Sequence, residues 1–509
     1  MTTPITKILV ANRGEIAIRV IRACRDAKIT SVAIYSGCDD TAYHVRLADE
    51  AYWVGPAPSR DSYLNQRRII EVAKISGAQA IHPGYGFLAE NAAFAKLCED
   101  SGIIFIGPKS ETIALLGDKL EARRTAIKAG LPVVPGTDFD ITDMSQVKQN
   151  AQEIGFPILV KAAAGGGGKG MRVVRADDPL EESIASAVRE AGSAFGDGRV
   201  YFERYLERPR HVEIQILADM HGNAIHLGER ECSVQRRHQK VIEESPSPIM
   251  TEELRSRMGK AAVDIVKESG YIGAGTVEFL VDQDRSFYFL EVNTRLQVEH
   301  PVTEMVTGID IVREQFRIAE GQELSFRQED VRPYGHAIEC RIYAEDPHQD
   351  FMPSTGTITE YREPAGPGIR IDSGVLSGSE IPIYYDPIIA KLVIWGRTRE
   401  EAMERTLRAV MEYRISGVHT TLDFACAVMR SRGFILGDYA TDFIDREFPK
   451  RDFVCRDATV EERAAIAAIL YEHLSRHKVT TTMARTPQDD SGWKAYHRAR
   501  GVRRLNGGR

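Results

Sequence analysis

Ala274-Gly-Thr-Val-Glu-Phe-Leu-Val-Asp282 and Phe287-Tyr-Phe-Leu-Glu-Val-Asn293 are two apolar, β-rich runs separated by a polar turn. Together they read as an antiparallel hairpin. With residues 283–286 as a symmetric loop, Asp282 faces Phe287 and Leu280 faces Phe289. Glu278 then falls opposite Glu291. Directly opposed carboxylates repel, and a divalent cation between them would relieve the repulsion. Glu291 and Asn293 are two residues apart and share a strand face. Glu278, Glu291 and Asn293 form an all-oxygen set. Such a set suits Mg²⁺ or Mn²⁺ rather than zinc and leaves coordination positions for nucleotide phosphates. The competing arrangement is a bulge or shifted register that turns one glutamate to solvent.

Upstream, Lys161-Ala-Ala-Ala-Gly165-Gly-Gly-Gly168-Lys169-Gly170 lies between two strand-like runs, 157–161 and 171–174. It matches neither the P-loop pattern nor the context of a dinucleotide fingerprint. Glycines allow close backbone approach, so successive N–H groups can wrap phosphate oxygens. Lys161 and Lys169 bracket that cradle. The alternative is a flexible linker with incidental lysines, and the flanking strands weigh against it.

Outward from these two features the chain is mixed α/β, α+β overall. Ile8–Ala11, Ser31–Tyr35, Ala80–His82 and Ile103–Ile106 read as short strands, with helical spacing from Glu15 to Lys28. This alternation predicts a doubly wound, Rossmann-like unit over residues 1–115. Residues 116–334 hold the glycine stretch and the hairpin, with a mobile glycine-rich lid expected over about 135–205. Residues 335–447 are strand-rich, followed by a helix over Arg399–Arg414. In a remaining 448–509 extension, Thr459-Val-Glu-Glu462 is a capping box predicted to open a helix reaching about His477. The polar, basic end after it is expected to be flexible unless docked.

The 509 residues suggest about three domains. The balance of 66 basic against 73 acidic side chains argues against a whole-surface nucleic-acid footprint. Seven scattered cysteines without a CxxC pair predict neither a disulfide framework nor a zinc site. No apolar run approaches the ~18 residues of a membrane span, and no signal-peptide core opens the chain. A cytoplasmic protein is expected.

Six blocks, in order, then carry a resemblance. They are Ala11-Asn-Arg-Gly-Glu-Ile-Ala17, His82-Pro-Gly-Tyr-Gly-Phe-Leu88, Arg210-His-Val-Glu-Ile-Gln215, Gln235-Arg-Arg-His-Gln-Lys240, Glu291-Val-Asn-Thr-Arg-Leu-Gln-Val-Glu-His-Pro301 and Arg341-Ile-Tyr-Ala-Glu-Asp346. From about residue 5 to 447 the chain resembles the biotin carboxylase family of ATP-grasp enzymes. The resemblance implies an ATP-grasp central domain between a Rossmann-like N-terminal domain and a strand-rich C-terminal one. It implies that ATP and bicarbonate are used to carboxylate biotin through carboxyphosphate. ATP would be held by Lys119, Lys161, Gly165, Gly166, Gly167, Gly168, Met171, Glu203, Arg204, Leu206, His211, Gln235 and His238, with Glu278 and Glu291 ligating Mg²⁺ and Asn293 nearby. Lys240, Arg295, Gln297 and the Val298 backbone would bind bicarbonate. Glu299 would be the base, Arg341 would stabilise the biotin enolate, and Tyr85 would pack against the biotin ring.

Part of this can be argued from the residues. If the strand continues past Asn293, then Arg295, Gln297 and Glu299 alternate onto the face of the metal ligands. A carboxylate in low dielectric has its pKa raised toward the working pH, as a general base requires, and Glu299 is that candidate. The family's Met-Lys-Met biotin attachment triplet does not occur in the sequence. The expectation is therefore a subunit that works with a separate biotin carboxyl carrier protein and a carboxyltransferase subunit of an acyl-CoA (acetyl or propionyl) or pyruvate carboxylase, and the resemblance implies a homodimer. Tyr343 leans toward propionyl- and methylcrotonyl-type relatives. Two alternatives stand: another ATP-grasp ligase of carboxylate–amine or carbamoyl-phosphate type, and a non-catalytic nucleotide-binding scaffold.

Overall fold

Five short strands, β1 (Lys7–Val10), β2 (Thr30–Ser36), β3 (Glu50–Gly55), β4 (Ala80–His82) and β5 (Ile104–Phe105), build the front of the molecule. They pair in parallel in the order β3-β2-β1-β4-β5, the doubly wound arrangement. Helix α1 (Gly14–Asp26) follows β1 and buries Ile16, Val20, Ile21 and Cys24, as their spacing predicts. The sequence reading lacks β3. This strand lies at the sheet edge, and Trp53 is half exposed. The computed structural model describes residues 4–137, 149, 151–162, 171–453 and 465–473.

Strands β6 (Ile158–Ala162), β7 (Arg172–Val174) and β8 (Val200–Arg204) form a small antiparallel sheet in the order β7-β6-β8. Helix Leu180–Phe195 packs on it, with Ile184, Ala187 and Ala191 among its buried residues. The glycines Gly165, Gly166, Gly167 and Gly168, with Lys169, lie outside the described residues.

An antiparallel sheet of eight strands carries the rest. Its strands include β9 (Arg210–Ala218), β10 (Ala224–Arg236), β11 (Gln239–Ser245), β12 (Gly273–Val281), β13 (Phe287–Asn293) and β14 (His336–Tyr343). The order is β13-β12-β9-β10-β11-β14, continued by the strands Ile388–Gly396 and Ile369–Ser373. The hairpin and the strand-rich region after 335 therefore share one continuous sheet. Leu254, Met258 and Ile265 of helix Glu252–Glu268 belong to the apolar cluster that holds Val277, Phe279 and Phe289.

The hairpin register differs from the symmetric-loop reading near the turn and agrees with it at the glutamates. Val281, not Asp282, pairs with Phe287, and Phe279 pairs with Phe289. A bulge then shifts the register, so Glu278 still stands opposite Glu291.

The front sheet is joined to the large sheet by close packing and buried charge. A Cβ on Gly374 would stand 2.7 Å from the Glu15 backbone nitrogen, so only glycine lets this segment seat on the start of α1. Lys391, fully buried, lies 3.3 Å from Glu15 and 3.9 Å from Asp372. Arg19 reaches Glu304 at 2.9 Å and Asp310 at 2.6 Å. Cys426 is disulfide-bonded, although the scattered cysteines predict no disulfide framework. The predicted helix at Arg399 spans Arg399–Glu412, capped by the Thr398 side chain. The chain divides after Cys455 into a second unit, in which residues 465–473 are helical and expose Ile466, Ile469, Leu470 and Tyr471. The capping box at 459–462 lies outside the described residues. Among the described residues no helix is long and apolar enough to cross a membrane.

Two predictions test this junction. Gly374→Ala should destabilise the fold by about 1–3 kcal/mol, the range for overpacking, in chemical denaturation. An unchanged midpoint would mean that the two sheets do not seat this closely. Burial raises Glu15 from 4.5 to about 7, with Lys391 acting against it. The folded state then keeps a proton that the unfolded chain has released, so stability should fall as pH rises from about 4.5 to about 7. Glu15→Gln should abolish roughly 3 kcal/mol of that fall between pH ~4.5 and ~8. Parallel stability curves for wild type and variant would refute the assignment.

Candidate active site

One face of the eight-stranded sheet floors a cavity of about 410 Å³. At one end stand Lys119, Lys161, Met171, the last β8 residues Glu203 and Arg204, and Tyr205 and Leu206 just beyond them. Lys119 is the first residue of helix Lys119–Lys128 and lies 3.9 Å from Glu291. Burial lowers its pKa, with Glu291 acting the other way. Lys161 on β6 is buried against Glu203 at 2.8 Å. Burial acts to lower Lys161, but Glu203 outweighs it and holds the ammonium above its ordinary range. His211, Gln235 and His238 line the adjoining wall.

The floor is a rung of charge. Glu291 pairs with Glu278, Glu278 with Glu213, and Glu213 with Arg230, on the neighbouring strands β13, β12, β9 and β10. Three acids abreast would repel if nothing answered them. Arg230, fully buried, takes Glu213, Gln215 and Gln297. Lys240 on β11 donates to Glu213 at 2.5 Å, and to Glu278 and Glu299 at 2.7 Å each. His211 meets Glu278 at 2.8 Å. Burial opposes the ionised form of Glu278, yet Lys240 and His211 hold its pKa well below the usual range. Protein cations thus supply the compensation that the hairpin alone assigned to a metal.

The strand does not continue past Asn293. Residues 294–299 are irregular and lead into helix His300–Thr307, so an irregular turn brings Arg295, Gln297, Val298 and Glu299 to the cavity instead of β alternation. Arg295 donates to Glu90 at 2.8 Å and to Asn293 at 2.9 Å. Gln297 donates to Glu278 at 2.9 Å. Arg341 on β14 bridges Glu243 at 2.6 Å and Glu299 at 2.9 Å. The expectation of a raised Glu299 pKa is overturned. Burial would raise it, but Lys240, Arg341 and Arg230 outweigh burial and hold the carboxyl far below its ordinary range. Glu243 has the raised value instead: burial lifts it to about 7, with Arg341 opposing.

Every described candidate except Tyr85 lines this cavity. The Tyr85 ring lies 5.7 Å from the Lys391 ammonium, and its hydroxyl is buried without a hydrogen-bond partner among the described residues. Tyr343 and Asp386 line the Arg341 end. The sequence reading missed Glu213, Arg230, Glu243 and Asp386. Glu213 carried a signal, since His211, Glu213 and Gln215 alternate onto one face. Asp386 carried none.

Glu278, Glu291 and Asn293 meet the chemical test for a hard cation. Two carboxylates face each other across the strands, whereas Asn293 donates its amide N–H to Glu278 at 2.8 Å and its Oδ1, the atom a cation would take, accepts from Arg295 at 2.9 Å. A cation there would replace donors that Lys240, His211 and Asn293 now supply.

Comparison with known proteins agrees with this geometry. Residues 4–113 match the family "Biotin carboxylase, N-terminal domain" and residues 339–446 the "Biotin carboxylase C-terminal domain". Residues 118–327 match "Carbamoyl-phosphate synthase L chain, ATP binding domain". The chain is 53% identical to a pyruvate carboxylase subunit of Methanothermobacter thermautotrophicus, over 94% of this chain and 97% of that one. It is also 53% identical to biotin carboxylase 1 of Bacillus subtilis, over 87% and 98%. Among solved structures it resembles the biotin carboxylase domain dimer of Hydrogenobacter thermophilus 2-oxoglutarate carboxylase, in complex with MgADP, ADP and bicarbonate. The TM-score is 0.85 at 49% identity, over 88% of this chain and 99% of that one. Biotin carboxylase of Campylobacter jejuni gives a TM-score of 0.85 at 47% identity, over 87% and 99%. With three matched segments in family order and half-identical relatives spanned almost end to end, the chain belongs to the biotin carboxylase family.

Proposed function

We propose that this chain uses ATP to activate bicarbonate and transfers the carboxyl group to biotin held by a separate carrier protein. The observation that carries the reading is the convergence of Lys240, Arg295, Glu299 and Arg341 with the lysines Lys119 and Lys161 in one cavity. Phosphate-binding cations occupy one end, and a carboxylate between two cations the other. The chain acts as the biotin carboxylase subunit of a multi-subunit carboxylase, as a homodimer beside a biotin carboxyl carrier protein and a carboxyltransferase subunit. The naming of relatives as carboxylase subunits and the dimer of the Hydrogenobacter protein support this.

Lys119, Lys161 and the glycines 165–168 hold the ATP phosphates, and the Glu203–Leu206 backbone receives the adenine. Glu278, Glu291 and Asn293 hold Mg²⁺ or Mn²⁺, which supplies counter-charge to the phosphate oxygens when bound. Arg295, Lys240, Gln297 and the Val298 backbone orient bicarbonate. Glu299 accepts the bicarbonate proton, and the freed oxygen attacks the γ-phosphorus, releasing ADP and forming carboxyphosphate. That species separates into CO₂ and phosphate. The phosphate removes the biotin N1 proton, and N1 adds to CO₂. Arg341 stabilises the enolate that forms on the biotin ureido oxygen.

The free site keeps Glu299 a weak base, because Lys240 and Arg341 both hold it. When Lys240 turns to bicarbonate and Arg341 to biotin, those two stabilising charges are shared with substrate. Burial then acts on Glu299 with less opposition and raises its proton affinity. Base strength is thereby tied to site occupancy.

Phosphate release from ATP with Mg²⁺, bicarbonate and free biotin should be stimulated by biotin. It should fall at least about 100-fold in both Arg341→Ala and Glu299→Gln. Turnover indifferent to biotin would favour another ATP-grasp ligase, and tight ATP binding without turnover a scaffold. Chelation of divalent ions should abolish release. Glu291→Gln should raise the Mg²⁺ concentration for half-maximal rate about 10-fold, and an unchanged Mg²⁺ dependence would remove Glu291 from the metal site.

A further inference from the structure

Residues 294–299 present the groups assigned above to bicarbonate, yet they have no helix or strand of their own. Their conformation has to be fixed from outside. One anchor is Arg341, which takes the Glu299 carboxylate at 2.9 Å. The residue before it is held by its backbone, since Lys391 donates to the Val298 carbonyl at 3.0 Å. Arg341 and Lys391 stand directly opposite each other on β14 and the strand Ile388–Gly396. A single rung of two cations therefore grips consecutive residues of the segment.

The siting of Lys391 is unusual for a residue with only a packing role. It is 0% exposed within the strand Ile388–Gly396, whose other side chains are all apolar. A buried ammonium costs free energy unless it is paired, and opposed like charges repel. Glu15 and Asp372 balance Lys391, while Glu243 and Glu299 balance Arg341. Its ammonium also lies 5.7 Å from the Tyr85 ring. The Gln297 carbonyl is taken by His300, whose ring lies 2.7 Å away. The Gln297 and Val298 carbonyls are thus both engaged by protein groups instead of facing an anion that they would repel.

We propose that Lys391 is a positioning residue for bicarbonate: by holding the Val298 carbonyl it sets the backbone that the anion meets and the aim of the Glu299 side chain. This rests on the bicarbonate-dependent function proposed above. The ammonium itself touches no substrate.

The test is bicarbonate titration of phosphate release in wild type, Lys391→Met, Lys391→Arg and the double variant Glu15→Gln/Lys391→Met. In Lys391→Met the KM for bicarbonate should rise about 10- to 100-fold, the range for a lost charge-assisted hydrogen bond. The KM for ATP should stay within about 2-fold, because the nucleotide end is untouched. Lys391→Arg should recover part of the loss. An unchanged bicarbonate KM, or an equal rise in both KM values, overturns the proposal. If Lys391→Met does not fold, the double variant, which removes the unpaired acid with the base, carries the same comparison. Failure of both to fold also overturns it, by making Lys391 structural. A wild type without bicarbonate-dependent turnover overturns the functional reading as well, whereas active wild type matched by Lys391→Met overturns this proposal alone.

Discussion

The ammonium of Lys240 lies within 2.7 Å of carboxylates on Glu213, Glu278 and Glu299, which belong to β9, β12 and the irregular segment after β13. Much of the site follows from that contact. The sheet floor sets Glu291, Glu278 and Glu213 abreast, an arrangement that folds only with cations placed among them. Lys240 and Arg230 neutralise the middle of the row, His211 and Lys119 its flank, and Arg341 secures the segment that crosses above. Removing one partner of a buried ion pair leaves an uncompensated charge, usually at greater cost than the pair contributes. Acids and bases here form one balanced set, so under the proposed function a polyanionic nucleotide and its metal would enter by exchanging partners within a network already formed.

Under the proposed function that exchange would give the site a conditional reactivity. A carboxylate between two cations is a poor proton acceptor, and the same carboxylate with its cations drawn to substrate is a better one. The cations that order the free enzyme thus also restrain it. The raised Glu243 on the far side of Arg341 adds to the balance, since its charge competes with Glu299 for the same guanidinium.

Part of this was legible from the residues, because opposed carboxylates in apolar strands leave few places to put them, and the family resemblance supplied most of the rest. The opposition of Glu278 and Glu291 emerged although the loop was misplaced by one residue, and the bulge restored the register. The blocks around His211, Lys240, Glu291 and Arg341 carried most of the cavity. Continuity of the sheet across residue 335 was not legible, because strand order is a tertiary choice that local pattern does not encode. Extension of the strand through Arg295 to Glu299 was misread, since alternating residues of the right type also suit a turn that delivers them one by one. The pKa of Glu299 was misread because burial was visible in principle while its three cations, from distant parts of the chain, were not.

The seat of Gly374 on the first turn of α1 has a consequence for how the front sheet is used. In doubly wound sheets, the amides opening the helix after the first strand are the customary berth for a ligand phosphate. In this protein the polypeptide itself occupies the approach to that berth. The front layer keeps the architecture of a nucleotide-binding unit but serves as a buttress, and the nucleotide is left to the larger sheet behind it. A side chain at residue 374 would therefore loosen the wall against which Glu15 and Lys391 are set, and disturb the chemistry without touching a reactant.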